Sequence, residues 1–556
     1  MSFKPLQITT PHIVYALLGA FIVPASVMFG MFSLFLREKM YIGEALWAFI
    51  FGVIVGSTSL NFASAAFATD NYSDFLLIPG PFCLGIVDPR SWGSVQAGTS
   101  NLITLELTRV VLSVGVFAIG AELPNAYIRT HWRSLFFLLA FVMTWGWLVS
   151  ASLVFALIPG LNFVSSLAVA ACLTPTDPIL ASAVVGGKWA TKHVPAHIRH
   201  LLAAESACND GAAYPFLYLA LYLIIDKTTS QAITDWFVIL SCVIGSVVGF
   251  SFRHLMKFCQ RYDLIDRTSY VAQYLSLTML TIGITSLLGV DDLLAAFFCG
   301  TAFAWDGFFN KQTEESVFSS VVDTLFNVAT FIYVGAWMPF DKFQDRQLTL
   351  SVWRLLVIAL LILLLRRLPA LVLLYTFIPD VETFREAIFT GHFGPIGISA
   401  IFVSTLATLV LEGARTNVDF TRDTSQTLLL EQTIQPIVAF MVLCSITVHG
   451  LSIPGFSFGK RVHTVSRSWS RRDTAPSRQA SGRLPEWANQ TTMVSRAEDV
   501  VINGPDEAQI SNLEKGGPDY EQEKVYAPSR DSAIGTSTET INAISIEVRD
   551  QTGLVA

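Results

Sequence analysis

Apolar residues along this chain gather into long runs, each about the 20 residues that an α-helix needs to cross a ~30 Å hydrocarbon core. The runs begin near His12, Ile42, Ser100, Trp132, Leu161, His197, Asp235, Thr268, Asp291, Ser316, Leu350, Arg385 and Glu431. The pattern predicts an all-α polytopic membrane protein with about thirteen spans. The polar interruptions carry the orientation. Arg37 and Lys39, Arg129 and Arg133, Lys188, Lys192 and Arg199, Arg253, Lys257, Arg261 and Arg267, and Lys311 fall mostly in every second loop. Positively charged loops stay on the cytoplasmic side, which predicts an N-terminus outside and a tail inside.

The pattern changes past Ile453. From Lys460 onward Ser, Arg, Asp, Glu, Gly and Pro dominate without apolar periodicity, so this stretch cannot bury enough surface to fold. The expected division is a membrane domain over 1–454 and a largely disordered cytoplasmic tail over 455–556. Lys460, Arg461, Arg467, Arg471, Arg472, Arg478 and Arg483 open the tail. They fit either a surface for anionic lipid or cytosolic regulators, or a plain stop-transfer flank. Asn71-Tyr72-Ser73, in the long second loop, is a glycosylation sequon on the outer side. Asn489 begins another, which the topology leaves inside the cell.

Composition removes the soluble alternatives. Hydrophobic residues make up 52% and charged ones 14%, with a mean hydropathy of +0.53, values of a chain whose main solvent is lipid. Forty-one Phe and 12 Trp suit acyl-chain contact and headgroup anchoring. The net charge of −7 implies no acidic surface, because acids and bases are segregated along the chain, and nothing suggests a nucleic-acid partner. Seven cysteines without a C-x-x-C pair indicate neither a disulfide framework nor a zinc site, and no cofactor is expected. The first apolar run exceeds signal-peptide length and is expected to remain as a span.

Ionisable side chains inside spans are the informative exceptions, since a central Asp costs about 2.5–3.5 kcal/mol on insertion scales. The fifth span reads Leu173-Thr174-Pro175-Thr176-Asp177-Pro178. Its two prolines remove backbone donors and predict a locally unwound helix whose carbonyls, Thr176 hydroxyl and Asp177 carboxylate suit a small cation. A kinked packing helix is the structural alternative. The sixth span carries Glu205-Ser206-Ala207-Cys208-Asn209-Asp210-Gly211. Helical spacing puts Ser206 on one face with Asn209 and Asp210, whereas Glu205 points elsewhere. Arg366 and Arg367 interrupt the leucines of the eleventh span and are the expected partners for Glu205 in a buried structural pair. The twelfth span contains Gly391-His392-Phe393-Gly394-Pro395-Ile396-Gly397, a second break seven spans after the first. The two broken helices are therefore antiparallel, as in inverted-repeat transporters. His392 is either a titrating group or a hydrogen-bonded cap. Glu106 and Arg109 are expected to satisfy each other, Glu122 to line the cytoplasmic entrance, and Asp291 and Asp292 to cap the ninth span.

Thr-Pro-Thr-Asp-Pro followed on the next helix by Glu-Ser-x-x-Asn-Asp-Gly resembles the monovalent cation:proton antiporter superfamily. Ala121-Glu122-Leu123-Pro124, Trp145-Gly146-Trp147-Leu148, Ala304-Trp305-Asp306-Gly307 and Phe393-Gly394-Pro395-Ile396-Gly397 are similar to its fungal plasma-membrane Na+/H+ branch. The resemblance runs from about Pro11 to Pro454; the tail takes no part and is short for that branch. It implies a dimerisation domain and a mobile core in which the fifth and twelfth helices cross, working as a homodimer by an elevator-like displacement. It also implies that cation and proton compete for Asp210, that Asp177, Thr176 and Ser206 help to hold the cation, that Asn209 pairs with Asp177, and that Glu205 bonds Arg367.

The expected function is exchange of Na+, with Li+ or K+ as further candidates, for H+ across the plasma membrane, serving salt tolerance and pH homeostasis. A cation channel or a non-transporting ion sensor is the alternative. An intramembrane hydrolase is disfavoured, because no H-E-x-x-H, G-x-G-D or buried Ser/His pairing is present, and no enzyme activity is expected.

Overall fold

The computed structural model describes residues 43–56, 88–92, 98–185, 190, 193–225, 239–265, 267–309, 318–416 and 424–470. Every regular element among them is helical. In chain order these are α1 (Glu44–Val55), α2 (Gly98–Glu122), α3 (Tyr127–Leu157), α4 (Phe163–Cys172), α5 (Pro178–Val185), α6 (Ala196–Ile225), α7 (Ile239–Arg261), α8 (Arg267–Leu288), α9 (Asp292–Phe303), α10 (Phe318–Trp337), α11 (Val352–Phe377), α12 (Phe384–His392), α13 (Ile398–Thr416) and α14 (Thr424–Ser470). The span expected from His12, the sequon at Asn71 and the tail past Ser470 lie outside the described residues.

Seven of the described helices are long and apolar enough to cross a bilayer, and five shorter apolar helices accompany them. Phe250, Phe258, Leu287, Leu360 and Leu373 are more than half exposed. In water such side chains would be uncovered apolar surface, whereas against acyl chains they need no cover. The described helices form one compact unit. The final helix continues through Pro454 to Ser470, while its apolar span covers Ser425–Ser452.

Small residues bring helices together where lipid offers no hydrophobic drive. Gly245 and Gly249 of α7 lie directly on the backbone of Ala295 and Cys299 in α9, so a side chain at either would collide with a carbonyl oxygen. Gly211 of α6 likewise faces Leu294, which would stand 2.5 Å from an added Cβ. Local signals then set the ends. Asn162 caps α4 by accepting from Ser165 N at 2.7 Å, and Thr383 with Glu386 forms a capping box at the start of α12. Within α3 the segment Phe137–Val142 is π-helical, a widening frequent at functional sites.

Two helices are broken where the prolines predict. The fifth span stops at Cys172 and resumes at Pro178 with proline in the first helical position, where its missing N–H leaves nothing unsatisfied. The twelfth stops at His392 and resumes at Ile398, across Gly394-Pro395-Ile396-Gly397.

Candidate functional site

The two breaks touch. Asp177 N donates to Pro395 O at 2.9 Å, joining the unwound segments by their backbones. Gly394 and Gly397 permit this approach, because a Cβ at Gly397 would collide with the Asp177 carboxylate and one at Gly394 with Arg367 Cδ at 2.5 Å.

The crossing has a negative and a positive clasp. Asp177 Oδ1 accepts from Ile179 N at 2.8 Å and Leu180 N at 2.9 Å, capping α5. Its Oδ2 accepts from Ile398 N, and from Ser399 N at 3.3 Å, capping α13. One buried carboxylate thus serves the positive ends of two half-helices. Arg366 does the reverse at the negative ends. Its guanidinium donates to Leu173 O, Thr174 O and Pro175 O after α4 and to Gly394 O after α12. Residue 178 is proline, and the N–H groups of Asp177, Ile179 and Ile398 are turned to Pro395 O and the Asp177 carboxylate, so these carbonyls lack intrahelical donors and the planar fork of arginine reaches several at once.

Helix α6 lies against this crossing. Asn209 Oδ1 accepts from Thr176 N at 3.0 Å and its Nδ2 donates to Thr176 Oγ1 at 2.8 Å. Thr176 Oγ1 also stands 3.0 Å from Ser206 Oγ. Asn209 therefore clamps Thr176, whereas the resemblance implied Asp177 as its partner. The physical reason is that both Asp177 oxygens are taken by four backbone donors, while the unwound Thr176 presents a free N–H and a hydroxyl. Glu205 forms a two-pronged pair with Arg367, from Nη1 to Oε1 and from Nη2 to Oε2 at 2.5 Å. Arg367 Nε completes the set by donating to Thr390 O at 2.9 Å. Thr174, Thr176, Glu205, Asn209, Arg366 and Arg367 line a small polar cavity beside the π-helical stretch of α3.

Asp210 stands apart chemically. It is fully buried, and neither carboxylate oxygen has a hydrogen-bond partner among the described residues. Asp177, Asp291 and Ser399 are its electrostatic neighbours.

Other expectations meet mixed outcomes. Asp291 caps α9 through Leu293 N at 3.0 Å and Leu294 N at 3.2 Å. Arg109 contacts Glu106 at 2.7 Å but also reaches the buried Asp292 at 2.7 Å, whose other oxygen accepts from Tyr214 OH at 3.2 Å. The Glu106–Arg109 pair is therefore one part of a longer chain linking α2, α6 and α9. His392 Nε2 lies 3.2 Å from Ser452 Oγ and half-buried against His449, ring centroids 5.4 Å apart. Glu122 is exposed at the end of α2 and takes no part in the crossing. Motif reading passed over Ser399 and Ser445, which accepts from Ile396 N at 2.7 Å within the second break. Nothing local marks Ser445, because it answers a donor 49 residues away.

A family model described as the transmembrane sodium/hydrogen exchanger matches residues 17–459. A probable Na+/H+ antiporter of Schizosaccharomyces pombe is 43% identical over 484 residues, covering 85% of this chain and 59% of that one. Na+/H+ antiporter 2 of Zygosaccharomyces rouxii is 41% identical over 479 residues, covering 84% and 55%. The chain thus spans a little over half the length of these curated relatives. Among solved structures, the sodium proton antiporter MjNhaP1 from Methanocaldococcus jannaschii superposes with a TM-score of 0.54 at 17% identity, over 80% of this chain and all of that one. At that identity the likeness shows a shared fold.

Proposed function

The chain belongs to the sodium/hydrogen exchanger family, and from that premise we propose that it exchanges an alkali cation for a proton, each carried in turn by Asp210. The observation that supports this reading is the unpartnered state of that carboxylate. Around it Asp177, Glu205, Arg366, Arg367, Thr176 and Asn209 all have partners of the protein's own making. Burying a charge without a partner is very costly, so Asp210 is stable only when something mobile neutralises it. A proton and a small cation are the two candidates that fit a closed helical bundle. Burial penalises the charged form of any carboxyl and a bound cation favours it, so the two compete. If only loaded forms move the site across the barrier, downhill cation flow drives protons the other way.

Ser206 and Asn209 on α6, with Thr176 of the break bonded to both, supply neutral oxygens, and Na+ is the cation proposed first, with Li+ and K+ as alternatives of the same charge. Asp177 is assigned a positioning role, since its oxygens already serve two helix ends, and Glu205 with Arg367 fixes α6 against α11. We extend the proposal to a homodimer in the plasma membrane with the N-terminus outside and the tail in the cytoplasm, an orientation supported by the alternation of basic loops.

The test is reconstitution of the full chain into proteoliposomes with a Na+ gradient imposed and lumenal pH and potential followed together. The expected result is cation-dependent proton movement that Asp210→Asn abolishes. Exchange that survives in Asp210→Asn, or Na+ conductance without coupled proton movement, defeats the reading.

A further inference from the structure

The second broken helix places an unassigned group beside Asp210. Ser399 lies in the first turn of α13, immediately after the break, and is 1% exposed. Its backbone is held in place by the bond from its N–H to Asp177 Oδ2 at 3.3 Å. Its hydroxyl is not held. Ser399 Oγ is buried without a hydrogen-bond partner, and it lies against the Asp210 carboxyl, close enough to interact but not in hydrogen-bond geometry.

The contrast with neighbouring hydroxyls on α13 shows why. Ser404 Oγ donates back to Ile401 O at 3.0 Å and Thr408 Oγ1 to Ser404 O at 2.9 Å, the usual local outlet for a hydroxyl in a membrane helix. For Ser399 the carbonyl four residues back belongs to Pro395, inside the break, and that oxygen accepts Asp177 N instead. The unwinding that opens the site therefore also strips Ser399 of its default acceptor. A buried hydroxyl with no partner is destabilising where alanine would not be. Ser399 and Asp210 are thus two buried groups on different helices, α13 and α6, neighbours at the crossing and each without another partner among the described residues.

We propose that the Ser399 hydroxyl is a direct ligand of the transported cation, so that the ion is gripped between Asp210 on α6 and Ser399 on the second half of the twelfth span. A hydroxyl oxygen offers lone pairs to a hard cation without adding charge. In the proton-loaded form the Asp210 carboxyl O–H can donate to the same oxygen. Each loaded form then neutralises the carboxyl and engages the hydroxyl at once, whereas in the unloaded form the hydroxyl can only donate to a buried carboxylate whose charge nothing balances. The inference rests on the carrier role proposed above for Asp210 and adds the ligand that ties the cation to the mobile crossing.

The experiment uses the reconstituted full chain and measures the Na+ dependence of exchange for Ser399→Ala, Ser399→Thr and Asp210→Asn. Ser399→Ala is expected to raise the KM for Na+ about tenfold, equivalent to ~1.4 kcal/mol, with a smaller fall in maximal rate. Ser399→Thr, which keeps the hydroxyl, is expected to return the KM to near the parent value. A folded Ser399→Ala protein with the parent KM overturns the assignment, and so does Ser399→Thr behaving like Ser399→Ala. Should Ser399→Ala fail to fold, Ser399→Cys carries the same comparison, since a thiol matches the hydroxyl in shape but is a poor ligand for alkali cations. Asp210→Asn separates the two claims: activity in that variant defeats the carrier reading itself, whereas its silence beside an unaltered Ser399→Ala defeats only the Ser399 ligand.

Discussion

Asp177 and Arg366 clasp the same helix crossing from opposite electrical ends, the carboxylate capping the N-termini of α5 and α13 and the guanidinium gathering the terminal carbonyls of α4 and α12. Four half-helix ends would otherwise lie in a low-dielectric interior with unsatisfied donors and acceptors. This relationship makes the crossing a built unit, while the Asp210 carboxyl beside it has no hydrogen-bond partner among the described residues.

Replacing Asp177 by Ala removes two helix caps together. At ~0.5–2 kcal/mol per cap, the expected loss is about 2–3 kcal/mol, visible as a lower thermal unfolding midpoint of the detergent-solubilised protein. Asp177→Ala with the parent midpoint would contradict the double-cap assignment. Arg366→Lys should also destabilise, because an ammonium group cannot span carbonyls of two separate helices as the guanidinium does.

The Glu205–Arg367 pair calls for a double-mutant cycle. Removing one partner of a buried ion pair costs about 3–5 kcal/mol because the other charge is stranded. Glu205→Gln and Arg367→Gln should each fall in that range. The double variant should lose clearly less than the two together. Simple additivity in thermal unfolding would mean that the two side chains do not depend on one another.

Gly394→Ala and Gly397→Ala test the close approach of the breaks. Each new methyl would press into Arg367 or Asp177, and overpacking of this kind costs about 1–3 kcal/mol. Gly413, with nothing within 4 Å of an added Cβ, is the control expected to tolerate alanine. The readout is folded yield after solubilisation and the unfolding midpoint.

Asp306 offers a pH test outside the spans. Partial burial pushes its carboxyl up, but the bond from Lys257, the Phe308 N–H, and the charges of Lys257 and Arg253 together hold it below the ordinary 3.8. A depressed folded value means that the interaction is fully present above the unfolded value and is lost as pH falls through the folded one. Asp306→Asn should therefore lower the unfolding midpoint slightly at neutral pH, by the ~0.2–1 kcal/mol of a partly exposed pair. The gap between variant and parent should close as pH drops below 3.8. A gap that widens on acidification would contradict the sign.

Much of this architecture was legible in the chain. Run length predicted the spans, and the prolines of Thr174-Pro175-Thr176-Asp177-Pro178 and Gly394-Pro395 predicted both breaks, because a missing N–H acts within one turn whatever surrounds it. The acids at 177, 205 and 210 were conspicuous because charge is scarce in lipid-facing sequence. Arg367 could be matched to Glu205 because an unpaired buried arginine demands a partner.

Partner choice inside the site was a tertiary decision. The bonds that define the clasp join residues 193 and 221 positions apart, and hydrogen bonding depends on distances and angles that no local pattern encodes. Asp177 and Asp210 look alike in sequence, both being aspartates in polar motifs within spans. Folding delivers four backbone N–H groups to the first and none to the second. The same packing strips Ser399 of its acceptor and sets it beside Asp210. The chain by itself determined where helices run and where they must break; the crossing of those breaks decided which carboxylate became an anchor and which stayed open, because only there do helix ends from distant spans compete for the same side chains.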